Sequence, residues 1–357
     1  MNLLHQRIRN QEVRIVIIFH NFWIVCYNRH MSTKKTLLSG VKPTGRPHIG
    51  NYFGAMKQFV DMQNDYTAIY MIADYHALNL VQNKSEMAQN ILDVAIDYLA
   101  LGIDPQKSII FKQSDVPEHA ELTWIFDTIT TMPYLQRAHA YKDAEAKDKE
   151  INVGTFNYPM LMASDILLYD SDTVPVGQDQ KQHVEYARDT AQKFNFIFGT
   201  DTFKLPEAKI LEHVAVVPGT DGRKMSKSYG NTIPLFATRE EITKAVMSIP
   251  TDSKPIDEPR NPDEDNVYKL HKLFSDHGEL YELGERYRKG GMGHKESKEL
   301  LIEHIDAFIA PLREKREQLA HDTDFVLDVL REGGKRAKQK AERKMEAVRE
   351  AIGVKLY

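Results

Sequence analysis

The chain has 357 residues, of which 42% are hydrophobic, 27% charged and 9% aromatic, with a formal net charge of −4. That composition suits a globular chain long enough for two domains of ordinary size, and excludes a globally basic nucleic-acid binder; any RNA site must be a local patch. A single cysteine, Cys26, excludes an intrachain disulfide and any cysteine-built zinc or iron–sulfur site, and fits a reducing cytoplasm.

Residues 13–27, VRIVIIFHNFWIVCY, are apolar but broken by Arg14, His20 and Asn21. They fall short of the ~20 residues that a membrane span needs. The start is basic but carries no small-residue cleavage site, which makes a poor signal peptide. An organellar transit peptide is the alternative. Met31-Ser-Thr-Lys-Lys reads as a natural start, so residues 1–30 are expected to be a non-native or disordered extension outside the fold.

From Lys35 onward short apolar runs alternate with amphipathic stretches. Residues 36–39 read as a buried strand, 40–47 as a loop, and a helix begins near 47–51 with Phe53, Met56, Phe59 and Val60 at helical spacing. Strands are predicted at 67–73, 108–112, 173–176 and 214–217, and helices at 83–101, 117–129, 158–169 and 178–198. Strands separated by helices of this length imply parallel β-α-β units and a doubly wound, Rossmann-like α/β sheet. Ligands in such sheets sit beyond the carboxyl ends of the strands, which gathers loops 40–47, 74–76 and 177–179 into one candidate site. Beyond Arg239 only helical patterns remain, at 239–249, 265–276, 279–289, 295–320 and 323–352. The expected organisation is a Rossmann-like domain over 31–238 and a helical domain over 239–357, whose last helix packs back on the first.

Two segments carry chemistry. SGVKPTGRPHIGNYFG, residues 39–54, runs from a strand through a Gly/Pro loop into a helix, with His48 and Asn51 at its first turn. Amides at a helix start attract anions, and an imidazole N–H can donate to a developing negative oxygen. The spacing matches neither a P-loop nor the dinucleotide fingerprint, so by itself the segment reads first as a structural turn. GTDGRKMSKSYGN, residues 219–231, sets Arg223, Lys224 and Lys227 among glycines and small polar residues. It is either a solvated surface loop or a mobile loop bringing cations to a polyphosphate leaving group.

His48-Ile49-Gly50 near the start, with Lys224-Met225-Ser226-Lys227-Ser228 far downstream on a β-α-β pattern, resembles the class I aminoacyl-tRNA synthetases. YPMLMASDILLY at 158–169, VPVGQDQKQH at 174–183 and Gly50-Asn51-Tyr52 narrow the resemblance to the tryptophanyl-tRNA synthetases, over Lys35 to about Gly353. Lys42 and His48 stand where many bacterial members carry glutamine and threonine, which places the likeness nearer a second, divergent bacterial group.

The resemblance implies activation of L-tryptophan with ATP and transfer to tRNA(Trp), by a cytoplasmic homodimer with no DNA or membrane partner. ATP enters as substrate with Mg²⁺, with no zinc, no iron–sulfur cluster and no metal held by the protein alone. His48, Lys224, Lys227 and Lys142 are the implied catalytic residues. Asp165 would accept the indole N–H, Tyr158 and Gln180 hold the amino group, and His76 and Met162 line the tryptophan pocket, Met162 reading equally as core. ATP falls to Lys42, Pro43, Thr44, Gly50, Asn51, Gly177, Gln178, Asp179 and Val216, with Lys224, Met225, Ser226, Lys227 and Ser228. A carboxylate in an apolar pocket is a strong acceptor for the single indole donor, and a ring without N–H would leave it unpaired. Asp165 reads otherwise as a structural cap or ion pair. The carboxylate nucleophile needs no general base, so rate comes from alignment and charge stabilisation. The basic run Lys335, Arg336, Lys338, Lys340, Arg343 and Lys344 reads as a solvated face or a tRNA contact. The rival readings are tyrosine activation on the same fold, another nucleotidyltransferase with a His-x-Gly loop, and a synthetase-like RNA-binding protein without catalysis.

Overall fold

The computed structural model describes residues 34–146, 151–177, 181–210 and 217–357. Residues 36–357 form one compact unit around a parallel sheet with strand order β3-β2-β1-β4-β5. The strands are β1 (Thr36–Val41), β2 (Thr67–Ile72), β3 (Ile109–Lys112), β4 (Thr173–Val176) and β5 (Glu207–Ile210). Helices cover both faces, which is why TAIYMI and IIFK are apolar runs with no polar alternation. The strand order reverses between β1 and β4, which pair only at Leu37↔Thr173. Beyond that pair their carboxyl ends part, and the parting makes a crevice at the switch point.

Helix α1 starts at Ile49–Asn51, passes through a π-turn at Tyr52–Met56 and resumes over Lys57–Met62. After β2 comes the single turn α2 (Asp74–Ala77), then α3 (Lys84–Leu101). The Asn83 side chain caps α3 by accepting from the Glu86 N–H, and Gly102 ends it with φ 102°. Helices α4 (Glu118–Ile129), α5 (Met132–Leu135) and α6 (His139–Ala146) follow β3. Next come α7 (Val153–Leu167) and α8 (Lys181–Phe198). The pattern alone starts α7 near Tyr158; it begins five residues earlier, because the Asn152 side chain caps the Thr155 N–H and Pro159 sits inside the helix. The strand expected at 214–217 has its first three residues outside the described ones, and Val217 belongs to no strand. β5 instead comes from the polar edge sequence EAKI.

Helices α9 (Arg239–Met247), α10 (Asn266–Phe274), α11 (His277–Lys289), α12 (His294–His321) and α13 (Thr323–Ala351) complete the chain. Their apolar faces share the sheet's cores: Ile242, Leu301 and Ile305 join Leu37, Phe59 and Tyr70 on one side. Ala337, Ala341 and Met345 of α13 join Phe111, Phe126 and Met160 on the other. Val326 and Leu330, earlier on α13, belong to the first cluster, so this helix crosses from one face to the other past the edge strand β3. It passes so closely that a Cβ at Gly333 would lie 1.8 Å from the Ile110 carbonyl oxygen. Of its basic residues, Arg336 donates to the Pro105 and Ser108 carbonyls and Lys344 to Thr202 O and Asp170. Lys335 and Lys338 stay on the exposed face beside Glu332 and Glu342. No described helix is long and apolar enough to cross a membrane.

Candidate functional site

The two motif segments meet, although some 180 residues separate them. The Ile49 N–H donates to Ile233 O at 3.0 Å, and the Leu235 N–H donates to Pro47 O at 3.0 Å. This short pairing docks residues 233–235, just after the lysine loop, onto the helix start. A Cβ at Gly50 would lie 2.8 Å from His48 Nδ1 and 3.3 Å from Met225 Cβ, so a side chain there would crowd His48 and press on the lysine loop. Met225 is buried and anchors the lysine loop, while Lys227 Nζ reaches the Thr44 and Gly45 carbonyls at 3.1 and 3.0 Å. Asn231 braces the loop from within: its Oδ1 accepts from the Ser226 N–H, and its Nδ2 donates to Asp221 and to Lys224 O.

His48 caps α1, its own N–H donating to Asn51 Oδ1 at 3.0 Å. Burial, then the positive charge of Lys227, lowers its pKa to about 4. The imidazole is therefore neutral near pH 7, and Nδ1 is buried without a partner among the described residues. Burial also lowers the pKa of Lys227. Its ammonium group, hydrogen-bonded among the described residues to neutral carbonyls, is prepared to meet an anion.

Beside this lies a cavity of about 310 Å³ in the crevice at the switch point. Leu38, Ser39 and Gly40 of β1 and Lys42 just beyond it line it, with Val174, Pro175 and Val176 of β4, Gly177 just beyond it, and Ala73 and His76 from beyond β2. α7 contributes Tyr158, Met162, Asp165 and Ile166, one side of a helix at spacings of three and four. The mouth carries Lys42, whose Nζ sits 5.3 Å from the Tyr158 ring centroid and whose pKa is lowered by burial of the ammonium end. Tyr158 also packs edge-on against His76, with centroids 4.7 Å apart.

Asp165 is 3% exposed and is not alone. Gln113 Nε2 donates to its Oδ1 at 2.6 Å, and His76 Nε2 lies 2.8 Å from Oδ2. His119 Nδ1 lies 2.7 Å from Oδ1, out of line for an ideal hydrogen bond. Burial alone would raise the carboxyl pKa; the contacts from His119 and His76 win and hold it down at about 2. The acid is therefore a fixed anion. A carboxylate has about four lone-pair sites. Among the described residues Oδ1 meets Gln113 and His119 and Oδ2 meets His76, so the open site is on Oδ2. This revises one expectation: a ring lacking N–H would leave one lone pair unmet, not a bare buried charge.

Sequence reasoning missed Gln113 and His119, which follow β3 and open α4 with no spacing signal linking them to Asp165. Of the expected site residues, Lys42, His76, Tyr158, Met162, Asp165 and Gly177 converge on the cavity. His48, Gly50, Asn51, Thr44, Met225 and Lys227 gather where the two motif segments meet, with Ser226 capping the turn Lys227–Tyr229 that contains Ser228. Pro43 is buried in the first loop, Lys224 pairs through its backbone with Pro218, and Lys142 is exposed on α6 and does not line the cavity. Gln178, Asp179, Gln180 and Val216 lie outside the described residues.

A family model described as "tRNA synthetases class I (W and Y)" matches residues 31–310. Tryptophan--tRNA ligase of Fusobacterium nucleatum is 50% identical over 320 residues, 90% of this chain and 98% of that protein. The Rhodopirellula baltica protein of the same name is 48% identical over 319 residues, 89% of this chain and 99% of its own. Among solved structures, tryptophanyl-tRNA synthetase from Campylobacter jejuni complexed with ADP and tryptophan superposes with a TM-score of 0.85 at 46% identity, covering 89% of this chain and 99% of that one.

Proposed function

The chain belongs to the class I tRNA synthetases of the tryptophan and tyrosine group, and from that premise we propose how its geometry performs tryptophan–tRNA ligation. The enzyme activates L-tryptophan with ATP and transfers it to tRNA. One observation carries the choice of amino acid: a permanently ionised, fully buried carboxylate with one open lone pair, at the wall of a cavity lined by apolar side chains. The indole fills the cavity and its N–H donates to Asp165 Oδ2. Tyr158, with Gln180, receives the amino group, and His76 and Met162 pack the ring.

ATP lies across the meeting point of the two motif segments. Lys42, Pro43 and Thr44, with Gly50 and Asn51, face the nucleotide; Gly177, Gln178 and Asp179 meet its ribose and Val216 its base. A tryptophan carboxylate oxygen attacks the α-phosphorus. The bond to the oxygen bridging to the β-phosphate breaks, and pyrophosphate leaves with that electron pair. Lys227 exchanges the Thr44 and Gly45 carbonyls for the leaving oxygens, assisted by Lys224, Lys142 and the loop amides of Met225, Ser226 and Ser228. His48, neutral, donates a hydrogen bond without carrying charge. Mg²⁺ arrives on the phosphates and stays held by them and by water. The tRNA 3′-terminal ribose hydroxyl then attacks the carbonyl carbon, and AMP leaves.

The active form is a homodimer working in the cytoplasm, where its substrates meet. A surface hollow of about 420 Å³ lined by Leu78, Trp124 and Leu161 supports the second copy. Trp124 is 72% exposed there, and Leu80 and Val153, next in the chain to lining residues, are 70% and 80% exposed. Residues 239–357 are the tRNA-binding part, with Lys335 and Lys338 on the exposed face, exchanging Glu332 and Glu342 for the polynucleotide. The test is ATP–pyrophosphate exchange with tryptophan or tyrosine, then charging of purified tRNA. Exchange driven by tyrosine and not by tryptophan would overturn the assignment.

A further inference from the structure

The amino-acid cavity is backed by a layer of side chains that no substrate touches. His119 is completely buried at the start of α4 and does not line the cavity. Its ring stacks on Phe111 with centroids 6.1 Å apart and planes 20° apart, and Tyr169 tilts against it at 5.5 Å. Both edges face polar groups: Nδ1 stands 2.7 Å from Asp165 Oδ1, off the line of an ideal hydrogen bond, and Nε2 is hydrogen-bonded to the Tyr169 hydroxyl at 2.8 Å. An imidazole whose Nδ1 faces a carboxylate carries its proton there, leaving Nε2 to accept from a hydroxyl. Tyr169 can play that part: burial, then the charges of Asp165 and Glu118, raise its pKa, so the phenol keeps its proton. Tyr169 thus selects the tautomer, and stacking selects the ring orientation.

We propose that His119, oriented by Tyr169, is a positioning residue for tryptophan selection: it pins Asp165 Oδ1 so that the open lone pair of Oδ2 stays turned to the ring N–H. Without it Oδ1 keeps only Gln113, on the same flexible Cβ–Cγ bond. The carboxylate can then rotate, and its two oxygens exchange places between donors. The inference rests on the reading that Asp165 meets the indole. A buried histidine that merely satisfies its own polar atoms would affect stability and all kinetic constants together.

The test compares His119→Phe, His119→Asn and Tyr169→Phe in pyrophosphate exchange, with Asp165→Asn alongside and thermal unfolding as a control on folding. Phenylalanine keeps the stacked ring and loses Nδ1–H; the asparagine amide places an N–H where Nδ1 stood. His119→Phe should raise the KM for tryptophan about tenfold, the worth of one modest charge-assisted hydrogen bond. Its kcat and ATP KM should stay within about twofold, and His119→Asn should recover most of the loss. Should His119→Phe fail to fold, Tyr169→Phe carries the test with a tryptophan KM raised about threefold, a fraction of that bond. An unchanged tryptophan KM in folded His119→Phe, beside a raised one in Asp165→Asn, overturns the positioning role and leaves tryptophan recognition standing. An unchanged KM in both overturns the Asp165 reading as well. Equal losses in kcat and in both KM values would reduce His119 to packing.

Discussion

Asp165→Asn is the sharpest probe of the site, because the surrounding donors dictate how the amide must sit. Gln113 Nε2 and His119 Nδ1 both face Oδ1, so the amide oxygen goes there and the NH₂ takes the place of Oδ2, toward His76 and the cavity. The indole N–H then meets a donor where it met a charged acceptor. Losing a hydrogen bond to a charged group costs about 1.5–3 kcal/mol, which predicts a tryptophan KM raised about ten- to 150-fold. Asp165 makes no contact with either phosphate-facing loop among the described residues, so kcat at saturating tryptophan should fall by less than about threefold, an estimate from the absence of transition-state contact. The preference for tryptophan over phenylalanine in kcat/KM should shrink by a factor similar to the rise in KM. Pyrophosphate exchange with each amino acid reads all three quantities, and thermal unfolding shows that the variant is folded. A folded variant with a tryptophan KM within about twofold of the parent, less than one hydrogen bond is worth, would refute the lone-pair reasoning.

Lys227→Ala should slow pyrophosphate exchange about 10²–10³-fold, the scale of one preorganised donor on developing charge, with the tryptophan KM little changed; an exchange rate equal to the parent's would remove Lys227 from the reaction. His48 has its pKa lowered to about 4, so its neutral form persists above that value and its contribution is lost only as pH falls through it. The exchange rate should show no His48 inflection between about pH 6 and 8, where an ordinary imidazole would titrate; an inflection there that disappears in His48→Gln contradicts this. Gly333→Ala sets two effects against each other: alanine favours a helix by about 1 kcal/mol, but its Cβ would lie 1.8 Å from the Ile110 carbonyl oxygen. Pushing α13 off β3 costs about 1–3 kcal/mol or more, so the urea midpoint should fall, and a higher midpoint would show that the close approach does not matter.

Much of the architecture was written in local pattern. Strands covered on both faces need apolar residues at successive positions, so TLLSGV, TAIYMI and IIFK stand out without partners being known. Helix starts carry local caps, as at Asn83, Thr238 and Asp276, although the pattern alone put Asp276 at the end of the preceding helix, and the long helices after Arg239 follow their 3.6-residue period. β5 escaped because EAKI lies at the sheet edge, where alternating charge replaces the apolar run. The His48 and Lys227 segments were legible as motifs because each is a contiguous set of glycines, cations and small polar groups.

What a single segment cannot encode is who stands behind it. Asp165 and Gln113 are 52 positions apart, and nothing in FKQSDVPEHAEL marks its glutamine or histidine as belonging to a carboxylate on α7. Only the packing of α2, the turn after β3 and α4 against α7 brings His76, Gln113 and His119 to one acid, and burial then makes those contacts decide its charge. Likewise Gly333 reads as a flaw in a helix until β3 is seen against it. Sequence alone determined most of the longer elements, their order and the chemical types in the two motif segments, because those depend on neighbours along the chain. Tertiary structure decided which lone pair stays open, which imidazole stays neutral and where a helix admits no Cβ, because those depend on desolvation and contact between residues far apart in the chain.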